Sequence, residues 1–238
     1  MMLETLKEYG WAYLYTDGYA TTGLATTLWL TIVSALTGFA LSIPLAVALC
    51  SSRASLRLPV ATFTYVFRGT PLFVQLLLIY TGIYSFGFVQ QTPLLNMIFR
   101  EGYHCALLAL VLNTTAYTTE IFAGTIRTTK KTEIEACVAY GMSWWQMMRR
   151  IVLPSALRRA IPAYSNEVIY LLHATSLAFA VTVKDLMAVA RDVNASTFRS
   201  FEAFGIAAFL YLLTTFVLLF LFKKAEARWL RHLQTSRH

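Results

Sequence analysis

Charged side chains are scarce in this chain of 238 residues: Asp, Glu, Lys and Arg make up 13% of it, about half the roughly 25% of a soluble domain. The shortage excludes the soluble classes. The 57% of hydrophobic residues gathers into runs that reach the roughly 20 residues needed to cross a bilayer core. The longest polar gap, 127–159, is too short for a soluble domain. Cysteine is also rare. Cys50, Cys105 and Cys137 are unpaired in spacing and fall in or beside apolar stretches, so they read as packing residues. No His/Cys/Asp cluster has the spacing of a metal site, and no cofactor is expected on the chain. The motifs G-x-x-x-x-G-K-[ST], G-x-S-x-G and H-E-x-x-H are absent, which removes a phosphate cradle, a serine-hydrolase elbow and a zinc-peptidase helix. The first 23 residues place acids before any apolar run and lack a small-residue cleavage site, unlike a cleavable signal peptide.

What is present is a single all-α unit over 1–238, a polytopic helical membrane protein. Five spans are expected, at about 22–50, 60–86, 103–126, 160–183 and 203–222. The first is long enough to tilt. Tyr13, Tyr15, Tyr19 and Trp229 suit an interfacial aromatic belt.

The segments between spans alternate in charge. Residues 1–21 are net −2, 51–59 net +2, 87–102 neutral, 127–159 net +5, 184–202 neutral and 223–238 net +4. Every second segment is basic. The positive-inside rule then puts the N-terminus outside and the C-terminus inside, in keeping with an odd number of spans. The overall +8 is thus an orientation signal and no nucleic-acid footprint. The basic tail reads as an anchor to anionic lipid.

The 127–159 segment is ordered by its own punctuation. Thr132 and Glu135 fit a capping box, as do Ser143 and Gln146. Gly141 suits a left-handed helix end, and Pro154 limits how the next helix continues. Two short helices bent around Gly141 are expected. They present Ala136, Ala139 and Tyr140 on one side and Trp144, Trp145, Met147, Met148 and Ile151 on the other. Such a pair fits either the membrane face or a cytoplasmic partner's groove.

Ionisable residues inside spans mark pathways or bundle interiors. Glu167 shares a helix face with Tyr170, Leu171 and Ala174 and is the leading substrate-pathway candidate. A satisfied structural acid at a subunit interface is the other reading. Glu120, within a face of Asn113, Thr114, Thr115, Tyr117, Thr118 and Thr119, reads first as interhelical glue. Arg68-Gly69-Thr70-Pro71 sets a cation beside a backbone break; Arg68 can pair Glu120 or Glu167, or guide a substrate carboxylate. His173 reads as a packing residue.

The run Glu135-Ala136-Cys137, three residues, Gly141, nine residues, Ile151-Val152-Leu153-Pro154 resembles the E-A-A-x3-G-x9-I-x-L-P loop of bacterial ABC importer permease subunits. Cys137 stands for the second alanine. The stretches "FRGTPLFVQ" (67–75), "AYTTEIFAGTIR" (116–127) and "SNEVIYLLHATSLAF" (165–179) resemble the polar amino-acid uptake branch, and within it the M-type permeases of histidine and lysine/arginine/ornithine importers. The resemblance implies an inner-membrane permease half, not an enzyme. It implies a related permease subunit, two ABC ATPase copies that hold ATP and Mg, and a periplasmic binding protein. It also implies that Glu135, Ala136, Gly141, Ile151, Leu153 and Pro154 couple to the ATPase. In cation importers of this branch the fourth span carries a pattern like N-E-x5-K-D-T-S-L. Here Asn166, Glu167, Thr175, Ser176 and Leu177 match, but His173-Ala174 replaces the Lys-Asp pair. One carboxylate is therefore missing, which points to a heterodimer whose other subunit holds the fuller site. Asn166, Tyr170, His173, Ser176 and Thr70 join Glu167, Arg68 and Glu120 as pathway candidates. The rival is a stand-alone secondary transporter or channel for small polar solutes. It lacks an internal repeat and leaves the loop without a task.

Overall fold

The computed structural model describes residues 2–229, and the tail beyond Trp229 lies outside the described residues. Among these there are twelve α-helices and no strand. In chain order they are α1 (Met2–Leu14), α2 (Gly23–Leu49), α3 (Ala54–Gly69), α4 (Leu72–Leu77), α5 (Gly87–Gln91), α6 (Pro93–Arg100), α7 (Gly102–Arg127), α8 (Lys131–Ala139), α9 (Trp144–Met147), α10 (Leu153–Ala174), α11 (Leu186–Thr197) and α12 (Ser200–Trp229).

Three described helices, α2, α7 and α12, are long and apolar enough to cross a membrane. At 26 to 30 residues each, they reach about 39–45 Å. The expected span at 60–86 is not one helix. The chain bends by 105° between α3 and the stretch Leu72–Ser85, and counting that bent pair as one span gives four. The expected 160–183 span falls on the second half of α10 and a 3-10 stretch, Thr175–Val181. Arg158, Arg159, Glu167 and His173 make α10 too polar to qualify by composition.

The bend has a local cause. Pro71 pushes Thr70 out of the helical region to φ −117°, ψ 145°. Carbonyls freed at the end of α3 would be costly inside a bilayer, and side chains take them up. Gln75 Nε2 donates to the carbonyls of Phe67 (2.8 Å) and Thr70 (3.0 Å). The Thr70 hydroxyl donates to Val66 O at 2.8 Å.

Helices α2 and α7 form the central pair. Gly38 permits their approach, since a Cβ there would lie 2.6 Å from Thr114 Cγ2. Around them the core falls into three clusters. One joins Leu30, Leu76, Leu110 and Leu171; one, at the 127–159 end, joins Leu49, Phe122, Val152 and Ala160; the third packs Tyr13 with Leu186, Val193 and Ile206. Tyr13 is a correction: it is fully buried, with its hydroxyl donating to Ala203 O at 2.9 Å, and takes no part in an aromatic belt. Tyr15, Tyr19 and Trp229 are exposed. Helix α12 keeps Phe209, Leu212, Phe216 and Phe220 exposed on one side, as lipid contact requires.

Candidate functional site

A cavity of about 650 Å³ opens where α3 breaks, between α4, α7 and α10. Arg68, Thr70, Asn113, Tyr117, Glu167 and Tyr170 supply its polar lining. All four members of the expected α10 face, Glu167, Tyr170, Leu171 and Ala174, line it. The helical spacing brings them together, and Ala174 sits where the second carboxylate is missing.

Glu167 is only 9% exposed and accepts a hydrogen bond from the Thr114 hydroxyl at 3.1 Å. Arg68 resolves its alternatives toward Glu120. Its Nη1 lies 3.7 Å from Glu120 Oε1, which also accepts from Thr64 Oγ1 at 2.8 Å. The guanidinium stands 5.3 Å above the Tyr117 ring. Glu120 therefore touches the cavity only through Arg68. Tyr170, 70% exposed, and the half-exposed Arg68 leave one side of this polar cavity open. Polar side chains at span depth call for protein or water on that side rather than lipid.

Besides Glu120, three expected pathway residues stand apart from the cavity lining. His173 Nε2 meets Thr215 Oγ1 at 3.1 Å, with its ring edge-on to Tyr211, so it packs α10 onto α12. Ser176 donates to His173 O at 2.7 Å, and Asn166 is exposed elsewhere on α10. Conversely, the sequence reading passed over Gln75 and saw Asn113 and Tyr117 only as glue. Asn113 Nδ2 donates to Gln75 Oε1 (3.1 Å) and Phe67 O (3.2 Å), and so fixes the break that forms the cavity wall. The available signal was an amide four residues after Pro71 in an otherwise apolar run.

The 127–159 segment is a second site. Helix α8 ends at Ala139. Gly141 follows at φ +70°, its N–H donating to Val138 O (2.9 Å) and that of Met142 to Cys137 O (3.0 Å), the Schellman pattern. A Cβ on Gly141 would meet nothing within 4 Å, so conformation rather than space demands glycine. Ser143 and Gln146 form the expected capping box. Thr132 does not cap α8. The helix starts two residues earlier, with Lys130 O accepting from Glu133 N at 3.0 Å, so Thr132 and Glu135 lie within it.

The second helix is also longer than expected. From α9 the chain stays helical through a π turn, Met148–Val152, into α10. Pro154, without an N–H and unable to sit against a tight preceding turn, accounts for the widening. Met148 is buried with Val152 against the bundle, contrary to its expected outward placement. Of the six expected coupling residues, Glu135, Ala136 and Gly141 are exposed. Ile151, Leu153 and Pro154 are half-buried, and Leu153 packs on the bundle. The exposed apolar surface is Val138, Tyr140 (85%), Trp144 and Trp145. Arg159 ties α10 to the end of α7 through Thr125 O (2.9 Å) and, just beyond it, Thr129 Oγ1 (3.1 Å), while also donating to Ser155 Oγ on its own helix.

Comparison with known proteins adds to this geometry. Residues 38–232 match the family described as "Binding-protein-dependent transport system inner membrane component". The chain is 56% identical to the histidine/lysine/arginine/ornithine transport system permease protein HisM of Salmonella typhimurium, over 99% of this chain and 100% of the relative. It is 55% identical to the protein of that name in Escherichia coli K12, over 99% of each. Among solved structures, a chain of an amino acid ABC transporter crystallised with histidines superposes with a TM-score of 0.82 at 28% identity, covering 96% of this chain and 98% of that one.

Proposed function

Because the chain belongs to the family of binding-protein-dependent transport system inner membrane components, we propose that it is the permease half of an ATP-driven importer of basic amino acids: histidine, lysine, arginine and ornithine. The observation that carries this reading is the pairing of two sites on one helix. The exposed Trp144 and Trp145 of the loop begin the helical run that ends in the cavity wall of Glu167, Tyr170 and Ala174.

Each site has a defined task. A cationic side chain entering the cavity loses water and needs an opposing charge. Glu167 supplies one carboxylate, and the Ala174 methyl supplies none. The open side of the cavity is closed by a related permease subunit, which brings the remaining acid. Exposed aromatic residues in a basic segment suit burial in a protein groove better than solvent. The partner there is an ABC ATPase, one copy per permease, which performs the nucleotide chemistry. A periplasmic binding protein delivers the amino acid at the opposite end, and the N-terminus lies on that periplasmic side.

The test is reconstitution. Purified with the related permease and the ATPase, the complex in vesicles should accumulate labelled arginine only with ATP and loaded binding protein. Arginine transport by this chain alone, without an ATPase, would assign it to the stand-alone class.

A further inference from the structure

A second cavity, about 530 Å³, lies at the end of the bundle opposite the 127–159 loop, where α2 and α7 begin. Its walls include Tyr15, Thr26, Trp29, Tyr103, Thr182 and Lys184. None of these lines the Glu167 cavity, and α2 sends no residue into that cavity.

Two hydrogen-bond donors edge the second cavity. Lys184 Nζ donates to Asp17 Oδ2 at 2.7 Å, and an ammonium has three N–H groups, so this bond engages one of them. That hydrogen bond holds the Asp17 carboxyl below its usual range and raises the Lys184 ammonium, so both stay charged at neutral pH. The Lys184 backbone is itself fixed, its carbonyl accepting from Gly23 N at 3.0 Å. Tyr103 and Trp29 also line the cavity, and a phenol can donate its hydroxyl hydrogen to a phosphate oxygen.

The apolar side of the cavity continues along α2. Trp29, Ile32 and Leu36 follow at helical spacing on one exposed face. That face carries no polar break and is separate from the pathway cavity, as a lipid-facing surface should be. The phenols and indole stand at its end, the depth at which Tyr and Trp meet headgroups.

We infer that this cavity is a phospholipid site in the leaflet opposite the loop: Lys184 and Tyr103 take the headgroup phosphate, and an acyl chain lies along Trp29, Ile32 and Leu36. Such a lipid would join the turn before α2 to the start of α7.

The experiment is native mass spectrometry of the assembled complex released from vesicles of phosphatidylethanolamine and phosphatidylglycerol. The wild type should retain phospholipid. Lys184→Gln should lower retention about tenfold, the worth of one charge-assisted hydrogen bond. Asp17→Asn should not lower it, because it frees the ammonium for phosphate. Tyr103→Phe, which removes a donor without touching the ion pair, should also lower retention, and it carries the test if Lys184→Gln fails to assemble. Equal loss in Lys184→Gln and Asp17→Asn would mean that the ion pair matters only structurally, and the proposal falls. It falls also if Lys184→Gln, or in its place Tyr103→Phe, retains lipid as the wild type does. Displacement of the lipid by millimolar inorganic phosphate, or efficient cross-linking of Ile32→Cys to the related permease, would equally overturn it.

Discussion

Gln75 and Asn113 converge on one backbone carbonyl, that of Phe67, from two different helices. Their side chains are also bonded to each other at 3.1 Å. The broken span is thereby tied to α7 by amides rather than by apolar packing alone. Gln75→Leu strips the side-chain donor from Thr70 O and one of two from Phe67 O, whereas Asn113→Leu leaves Gln75 on both. Gln75→Leu should therefore destabilise the assembled complex by about 1–3 kcal/mol, with Asn113→Leu costing less. Thermal unfolding in nanodiscs measures both. Equal effects, or none, would show that the bend holds itself.

Gly141 sits at φ +70° with open space where a Cβ would go. Asparagine tolerates that region and valine does not. Gly141→Asn should keep most of the substrate-stimulated ATP hydrolysis of the complex, while Gly141→Val should abolish it with the chain still inserted. Normal stimulation in Gly141→Val would remove the loop from coupling.

Glu167→Gln should reduce arginine uptake by less than about tenfold, under about 1.4 kcal/mol, since Glu167 supplies only part of the opposing charge and the amide oxygen can still accept from Thr114. Removal of the related subunit's acids should be far more damaging. Uptake in reconstituted vesicles, with assembly checked first, decides between them. Complete loss with assembly intact would place the principal site in this chain. Loss of assembly would make Glu167 an interface acid.

Orientation can be read with a reporter enzyme active only in the periplasm. Fused after residue 95 it should work; fused after residue 140 or 238 it should not. The reverse pattern would put Trp144 and Trp145 beyond the reach of any ATPase.

The elements governed by local chemistry were legible in the sequence. The apolar runs foretell α2, α7 and α12, the glycine foretells the turn at 141, and Ser143 and Gln146 foretell their cap. The α10 face toward the cavity follows from helical spacing alone. What escaped depended on distant partners. Tyr13 is buried because α11 and α12 cover it, and nothing near residue 13 announces them. Thr132 and Glu135 have the spacing of a cap, yet Lys130 takes the cap position two residues earlier and carries them into the helix. His173 and Ser176 lie close to Glu167 in sequence, but helical rotation turns them toward α12 and the backbone.

The unbroken run from Trp144 to Ala174 has a mechanical consequence. Arg159, pinned to the end of α7, lies between the exposed tryptophans and Glu167. At 1.5 Å per residue the arm toward Trp144 is about 22 Å and the arm toward Glu167 about 12 Å. If the run tilts about Arg159 as a rigid rod, it works as a seesaw with unequal arms. A push of about 4 Å on the tryptophan end, a tilt of about 10°, returns about 2 Å of opposite movement at the Glu167 carboxylate. The gearing halves the stroke and roughly doubles the force. Two ångströms also exceeds what the 3.1 Å bond to Thr114 can stretch and survive, so one stroke in that direction parts the two.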